Sequence, residues 1–192
     1  MDEARRKRFE QQILPHLPAA YSLARWLMRQ SQDAEDAVQD AMIKAYRGFD
    51  GFAGEQPAAW LLAIVRNTCF TKLQRRNAGG KVVVLHDTMR DGSAGRFADP
   101  PDPAPRADEA MIAAEERRRV RAAIAELPGP FREVLVLREF HDHSYREIAD
   151  IVAAPVGTVM SRLARARERL AVLLEEPKVG GDKHLTKDGT KP

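Results

Sequence analysis

Apolar side chains recur at three- and four-residue spacings over two long stretches of this chain, from Phe9 to Arg76 and from Ala107 to Leu174. That spacing is typical of α-helices that bury one face. The one run that resembles a strand is short, Val82 to Leu85. The pattern therefore predicts an all-α fold made of two small helical domains.

Glycine, proline, aspartate and serine are concentrated between the two helical stretches, from Gly79 to Arg106. Proline has no backbone N–H and disfavours helix in the residue before it, so the run Asp99 to Pro105 should be extended or mobile. The residues after Pro177 lack apolar periodicity and are predicted to be disordered. We therefore predict an N-terminal domain at residues 1–78, a flexible linker at 79–107, a C-terminal domain at 108–176 and a tail at 177–192.

A glycine-rich loop divides the N-terminal stretch. Ser31 is placed to cap a helix that carries acidic side chains in its first turns. The segment Gly48 to Gly54 ends this helix, and Pro57 suits the first turn of the next one. The loop brings the ring of Phe52 close to a helix that ends in cationic residues. Such rings suit unpaired nucleobases, which stack on flat surfaces while their phosphates need positive charge.

Several of these features also have a plainer interpretation. Trp60 lies in helical phase with apolar neighbours and is more simply explained as a core residue. Phe52, between glycines, is the better candidate for contact with a ligand. The acidic helix face around Asp36 is by default a solvated surface. The single cysteine, Cys69, is predicted to be a small buried hydrophobe and not a reactive thiol.

The C-terminal stretch contains the parts of a helix-turn-helix. Ser144 and Glu147 have the spacing of a capping box that opens a short helix, and Pro155 begins the last helix after a brief turn. Outward positions on that last helix carry hydroxyl and guanidinium groups, which bind phosphates and base edges in a major groove. The alternative is an ordinary solvated basic face. We interpret His141 and His143 as turn residues and not as metal ligands.

Composition narrows the function classes. The chain has 31 basic and 28 acidic residues, a net charge of +3, so a nucleic-acid surface must come from local segregation of charge. One cysteine excludes an internal disulfide and a cysteine-based zinc cluster, which favours a reducing compartment such as the bacterial cytoplasm. No apolar run approaches the roughly 20 residues of a membrane span. The sequence contains no phosphate loop, nucleophile elbow or metal-ligand cluster, so it predicts no catalytic residues, no metal and no cofactor.

Two motifs, in this order along the chain, resemble a known family. The N-terminal stretch resembles conserved region 2 of the extracytoplasmic-function sigma factors of bacterial RNA polymerase at Asp33–Asp40, Lys44–Tyr46, Phe52, Trp60–Leu61 and Arg66–Asn67. The C-terminal stretch resembles region 4 of the same family at Leu127–Pro128, Arg132–Leu135, Ser144–Ala149 and Pro155–Leu163. Two independent motifs in the right order are a specific signal.

The resemblance implies a non-catalytic subunit that directs core RNA polymerase to promoters and is held inactive by an anti-sigma factor. The residues that would bind the clamp helices of the largest polymerase subunit are Asp33, Asp36, Gln39, Asp40 and Lys44. Those that would capture a base flipped from the −10 element or follow its phosphates are Gly48, Phe52, Ile64, Asn67, Lys72, Arg75 and Arg76. Those that would bind the −35 duplex are Arg138, Tyr145, Thr158, Ser161, Arg162 and Arg165.

Two other function classes compete with this interpretation. A stand-alone helix-turn-helix regulator would bind DNA without polymerase, and the acidic helix with its aromatic loop speaks against it. A nucleic-acid hydrolase is a more distant alternative because the catalytic motifs named above are missing from the sequence.

Overall fold

The computed structural model describes residues 3–78 and 107–175. All regular structure within these ranges is helical, which confirms the predicted all-α fold. The α-helices are α1 (Glu3–Ile13), α2 (Leu17–Met28), α3 (Ser31–Gly48), α4 (Pro57–Ala78), α5 (Ala107–Glu126), α6 (Gly129–Glu139), α7 (Tyr145–Val152) and α8 (Val156–Glu175), and short 3-10 helices follow α1 (Leu14–His16) and α3 (Phe49–Gly51). The predicted linker up to residue 106, its strand-like run Val82–Leu85 and the predicted tail lie outside the described residues.

Helices α2, α3 and α4 pack against one another and form the main part of the N-terminal group, α1 to α4. Alanine side chains at the contacts let the helix axes approach closely. The fully buried alanines are Ala20, Ala24, Ala34, Ala37 and Ala41. Leu23, Leu61 and Val65 fill the space between them. Cys69 is buried in α4, as predicted, and this burial raises the pKa of its thiol to about 12.

The sequence signals for helix starts are mostly confirmed. α4 begins at Pro57. At the start of α7 the Ser144 hydroxyl accepts from the Glu147 N–H at 3.3 Å, while the Glu147 carboxylate accepts from the Ser144 N–H at 2.8 Å. The prediction for Ser31 is wrong by one residue. Gln30, with extended backbone and no side-chain hydrogen bond, holds the N-cap position of α3, and Ser31 already lies inside the helix.

Helix α6 is the centre of the C-terminal group, α5 to α8. Its residues Val134 to Leu137 are all buried, and it contacts both α7 and α8. Helix α7 ends where Ala153 adopts a left-handed conformation at φ 51°, and α8 packs inward through Val159, Leu163 and Ala166. This confirms the predicted helix-turn-helix, formed by α7 and α8.

The two groups of helices share one continuous core in this structure. Helix α2 contacts α6, and α4 contacts α7. The Trp26 and Phe140 rings meet with centroids 5.0 Å apart. The Arg132 guanidinium is buried at the boundary, where it donates 3.2 Å to the Trp26 carbonyl, and burial lowers the pKa of Arg132 to about 10. Two domains were predicted, but their packing against each other was not.

Candidate nucleic-acid interface

A cavity of about 390 Å³ opens between α3 and α4. It is lined by Lys44, Gly48, Trp60, Ile64, Asn67, Thr68 and Thr71. Its size falls in the range of roughly 300–1,000 Å³ that is usual for small-molecule sites. Three of the predicted base-capture residues, Gly48, Ile64 and Asn67, therefore lie around one opening.

Hydrogen bonds fix the polar groups of this cavity. The Thr68 hydroxyl donates to the Ile64 carbonyl at 2.8 Å and accepts from Lys44 Nζ at 3.0 Å. The Asn67 side-chain carbonyl accepts from Arg66 Nη1 at 3.1 Å. Since that carbonyl is engaged, the Asn67 amide N–H groups are the part of this side chain left to donate to a ligand. An apolar wall with a few oriented polar groups is the chemistry that a flat heterocycle needs.

Aromatic rings run from the protein interior to this cavity. The ring centroids of Phe9 and Phe49 are 5.1 Å apart, those of Phe49 and Phe52 are 6.3 Å apart, and those of Phe52 and Trp60 are 4.7 Å apart. Phe52 is half-buried, and its ring lies at a tilt of 33° against that of Trp60. Trp60 lines the cavity, whereas Phe52 does not. The interpretation of Trp60 as only a core residue is therefore incomplete.

Helix α1 holds the loop that carries these rings, a contact that sequence reasoning missed. Arg5 Nε donates to Asp50 Oδ1 at 2.7 Å, and Arg5 Nη2 donates to the Tyr46 carbonyl at 2.6 Å. The hydrogen bond that Arg5 donates to the Asp50 carboxylate raises the pKa of Arg5. The Arg8 guanidinium lies 5.0 Å from the centre of the Phe49 ring. The only sequence signal was a run of basic residues near the N-terminus.

The residues predicted to bind polymerase separate into two places. Asp36 is exposed, and Gln39 borders a second, mostly apolar cleft of about 490 Å³ between α2 and α3. Asp33 and Asp40 instead form ion pairs across to α4, with Arg76 and with Lys72 respectively. The hydrogen bond from Lys72, at 2.8 Å, lowers the pKa of Asp40. Lys44 lies at the cavity and not with Asp36 and Gln39.

These ion pairs also position the predicted phosphate contacts. Lys72 and Arg76 are neutralised in part by the carboxylates of α3, while Arg75 is exposed beside them. Surface ion pairs contribute only about 0–1 kcal/mol each, so a phosphate can replace either carboxylate at small cost. The end of α4 therefore presents a basic surface next to the cavity.

The residues predicted to bind the −35 duplex lie on α6, α7 and α8. Arg138 Nη1 donates to the His143 carbonyl at 3.0 Å, and its guanidinium lies 5.4 Å from the centre of the Tyr145 ring. On α8 the Ser161 hydroxyl donates to the Thr158 carbonyl, and Arg165 is exposed on the outer surface. Arg162 is half-buried and lies 3.6 Å from a carboxylate of α6, that of Glu133.

Glu133 is a second feature that sequence reasoning missed. Its side chain is completely buried, and its two oxygens accept from Arg66 Nε at 2.7 Å and Arg66 Nη2 at 3.2 Å. A carboxylate hidden from water is costly unless cations and hydrogen bonds replace the lost solvent. The available signal was its position next to the apolar run Val134–Leu137, where an acidic side chain needs a partner.

The histidine turn before α7 contains no evident ligand site. The His141 and His143 rings lie 6.4 Å apart, and within the described residues there is no group of three or more His, Cys, Asp or Glu that could hold a metal. Burial lowers the pKa of both imidazoles.

No helix in the two described ranges is both long and apolar enough to cross a membrane.

These histidines should make the fold sensitive to acid. Because the pKa of His141 and His143 is lowered in the folded chain, the unfolded chain binds more protons below about pH 6.5, and stability falls as the pH falls. We expect urea unfolding to give a smaller free energy at pH 5.5 than at pH 7.5. The difference should shrink in His141→Asn. Equal pH dependence in the variant and the parent would contradict this prediction.

Two family models match the chain. The sigma-70 region 2 model matches residues 13–78, and the sigma-70 region 4 model matches residues 117–170. The cavity and the basic end of α4 lie in the first match, and the helix-turn-helix lies in the second.

Curated relatives agree with these matches. The chain is 38% identical over 143 residues to the ECF RNA polymerase sigma-E factor of Escherichia coli K12, covering 73% of each protein. It is 32% identical over 173 residues to the RNA polymerase sigma-H factor of Pseudomonas aeruginosa, covering 88% of each.

Solved structures show the same similarity. The sigma factor RpoE of Bartonella quintana, in complex with the anti-sigma factor NepR, superposes with a TM-score of 0.66 at 31% identity, covering 88% of this chain and 97% of that one. CnrH, in complex with the cytosolic domain of CnrY, superposes with a TM-score of 0.60 at 26% identity, covering 88% of both chains.

Proposed function

Since this chain belongs to the extracytoplasmic-function group of the sigma-70 family, we propose that its two DNA-binding surfaces direct core RNA polymerase to promoters by −35 binding and −10 strand opening. The observation that carries the −10 assignment is the cavity beside Trp60, with Asn67 and Lys44 at its opening and the basic end of α4 next to it. The exposed hydroxyl and guanidinium groups of α8 support the −35 assignment.

The chain contributes binding energy to initiation and no covalent chemistry. A base that leaves the duplex stack costs a few kcal/mol, and capture in a pocket with a stacking surface returns about 1–3 kcal/mol per base. In our proposal Asn67 and Lys44 donate to the captured base, while Lys72, Arg75 and Arg76 follow the phosphates. Gly48 leaves room at the opening, and Phe52 supports Trp60. Strand opening is then driven by trapping of the unpaired strand.

At the −35 element we propose that α8 enters the major groove. Ser161 and Arg165 are exposed on its outer surface and Thr158 is half-buried, and all three would contact bases and phosphates directly. Arg138 and Tyr145 stack on one another at the edge of the helix-turn-helix, where a phosphate can join them. Arg162 must release Glu133 to take part.

Core polymerase and an anti-sigma factor are the protein partners of this sigma factor. We propose that the exposed acidic face around Asp36, with the apolar cleft beside Gln39, binds the clamp helices of the largest polymerase subunit. Because polymerase works inside the cell, we place the protein in the cytoplasm. Nothing in this mechanism needs a catalytic residue or a cofactor.

Run-off transcription tests the proposal against the stand-alone regulator. Purified chain added to core polymerase should produce promoter-specific transcripts from a set of genomic promoters, and the chain should co-purify with core polymerase. Specific DNA binding without core binding or transcripts would favour the regulator.

Charge reversal on α3 should weaken core binding. We expect Asp36→Lys to reduce the amount of chain retained by immobilised core polymerase at moderate salt, because Asp36 is exposed on the proposed docking face. Glu168→Lys is the matched control, because it reverses the charge of an exposed side chain on α8, away from the proposed docking face. Equal retention of both variants would place the polymerase surface elsewhere.

The contact between α1 and the loop should matter for base capture. Arg5→Ala removes both the Asp50 ion pair and the bond to the Tyr46 carbonyl, which frees the loop that supports Phe52 and Trp60. We expect slower strand opening, measured by permanganate reactivity, with −35 duplex binding unchanged. Arg6→Ala, which loses only pairs within α1, is the control. Normal opening by Arg5→Ala would show that the loop holds its position without α1.

A further inference from the structure

Helix α8 carries a row of apolar side chains on its outer surface. Val156 is the first residue of the helix, and Met160 and Ala164 follow it at four-residue intervals, so the three lie side by side. All three are exposed, with 38% of Val156 and 52% of Met160 open to solvent. The inward face of α8 is formed by other residues, among them Val159 and Leu163. Packing of the core therefore does not account for this apolar row.

The apolar row lies beside the polar groups that we assign to the −35 duplex. Ser161 and Arg165 are exposed next to it, on the same outer surface of α8. A Cβ atom at Gly157 would meet nothing within 4 Å, so no other part of the described chain covers the surface there. The charged residues between Val156 and Arg167 are all arginines. An uncovered apolar row in cationic surroundings fits a polyanion that presents apolar groups of its own.

The methyl group of thymine is the apolar group that a DNA major groove presents. Every base pair offers hydrogen-bonding groups there, but only the A·T pair adds a methyl group, at C5 of thymine. In a helix-turn-helix the N-terminal residues of the recognition helix reach the base edges, and Val156 and Met160 are the first and fifth residues of α8. The thioether side chain of Met160 is flexible and polarisable, so it can follow the shape of a small apolar partner.

The polar side chains of this part of α8 are partly engaged within the protein. The Ser161 hydroxyl donates its proton to the Thr158 carbonyl at 3.0 Å, which leaves its lone pairs to accept from a base. Arg162 is half-buried and lies 3.6 Å from the Glu133 carboxylate. Arg165, which is exposed, lies further along the helix. Apolar contact is therefore a main source of base discrimination along the first turns of α8.

We propose that Met160, supported by Val156, contacts the C5-methyl group of a thymine in the −35 element and makes the chain prefer an A·T pair at that position. The proposal rests on the assignment of α8 to the −35 duplex and adds to it a specificity-determining residue that makes no hydrogen bond. Loss of this methyl contact should weaken binding about fourfold, which is what burial of one methyl group contributes.

Replacement of thymine by deoxyuridine tests the proposal on the DNA. Deoxyuridine lacks only the methyl group and keeps the O4 acceptor and the base pair. The probe is a promoter that the chain transcribes with core polymerase, in which each thymine of the −35 element, on either strand, is replaced in turn. We expect one or two replacements to weaken closed-complex formation by the holoenzyme about fourfold, measured by filter binding. The proposal is overturned if none does so, or if the −35 element contains no A·T pair.

Met160→Gln tests the side chain. Glutamine keeps the length of methionine and makes its end polar, and the fold should be unaffected because Met160 is exposed. In this variant thymine and deoxyuridine should bind equally at the responsive position. Val172→Ala is the matched control, because it shortens another exposed apolar side chain of α8, about three turns away, and should keep the fourfold preference. A preference for thymine that survived Met160→Gln would overturn the proposal, since DNA shape or another residue would then be responding to the methyl group.

Two further outcomes separate this proposal from others. If Met160→Gln kept the preference for thymine but was no longer retained by immobilised core polymerase, the apolar row would bind protein and not DNA, and the proposal would be overturned. Failure of wild-type run-off transcription would instead overturn the proposed function. Equal binding of thymine and deoxyuridine by a holoenzyme that transcribes normally overturns only the methyl contact.

Discussion

Arg132→Met is expected to lower the free energy of unfolding by about 3–5 kcal/mol. The Arg132 guanidinium donates to the Ile124, Ala125 and Leu127 carbonyls at the end of α5, and to the Trp26 carbonyl of α2. The Ile124 and Ala125 carbonyls keep a donor in the variant, the Leu127 N–H and Arg29 Nη2 respectively. The Leu127 and Trp26 carbonyls lose the guanidinium, at about 1–3 kcal/mol for each buried carbonyl left without a donor, and the methionine recovers only the packing of the stem.

The measurement is chemical denaturation followed by circular dichroism. Arg167→Met is the matched control, because the Arg167–Glu139 pair is half-exposed and surface pairs contribute about 0–1 kcal/mol. If Arg132→Met unfolded at the same denaturant concentration as this control, water would be replacing the guanidinium at the Leu127 and Trp26 carbonyls. Arg132 would then be a peripheral residue and not the anchor between α5, α6 and α2.

Local features of this fold could be predicted from local sequence. The capping box of Ser144 and Glu147, the start of α4 at Pro57 and the end of α7 before Pro155 each depend on a few adjacent residues whose chemistry determines the backbone. Ser31 shows the limit of this reasoning. Both Gln30 and Ser31 precede a helical pattern, and the extended backbone at Gln30 decides which of them is the N-cap.

Contacts between distant helices could not be predicted in the same way. Arg5 and Asp50, or Arg66 and Glu133, are separated by tens of residues, and the sequence around one partner does not identify the other. Lys44 was assigned to the acidic face by its position on α3, but its long side chain reaches Thr68 on α4 and lines the cavity. Helical periodicity identifies the buried face of each helix, whereas the pairing of faces is a tertiary property.

Substitutions at Asn67 and Arg165 should impair different steps of initiation. Arg165 is exposed on α8, so Arg165→Ala should reduce closed-complex formation, measured by filter binding, and matter less on a promoter with a pre-melted bubble. Asn67 borders the cavity, so Asn67→Ala should leave −35 duplex binding nearly intact. It should impair strand opening, measured by permanganate reactivity, and change the preference for the captured base.

Loss of one base-reading contact costs about 1–3 kcal/mol, which corresponds to an effect of about 5- to 150-fold in the step that each residue serves. Thr71→Ala provides a control for Asn67→Ala, because the Thr71 hydroxyl also borders the cavity but donates to the Asn67 backbone carbonyl. Thr71→Ala should therefore impair strand opening less than Asn67→Ala, which removes a free amide donor. If Asn67→Ala and Arg165→Ala behaved alike in both assays and on both templates, the cavity would not serve strand opening separately from −35 binding by α8. The −10 assignment of the cavity would then have to be abandoned, even though the chain would remain a sigma factor.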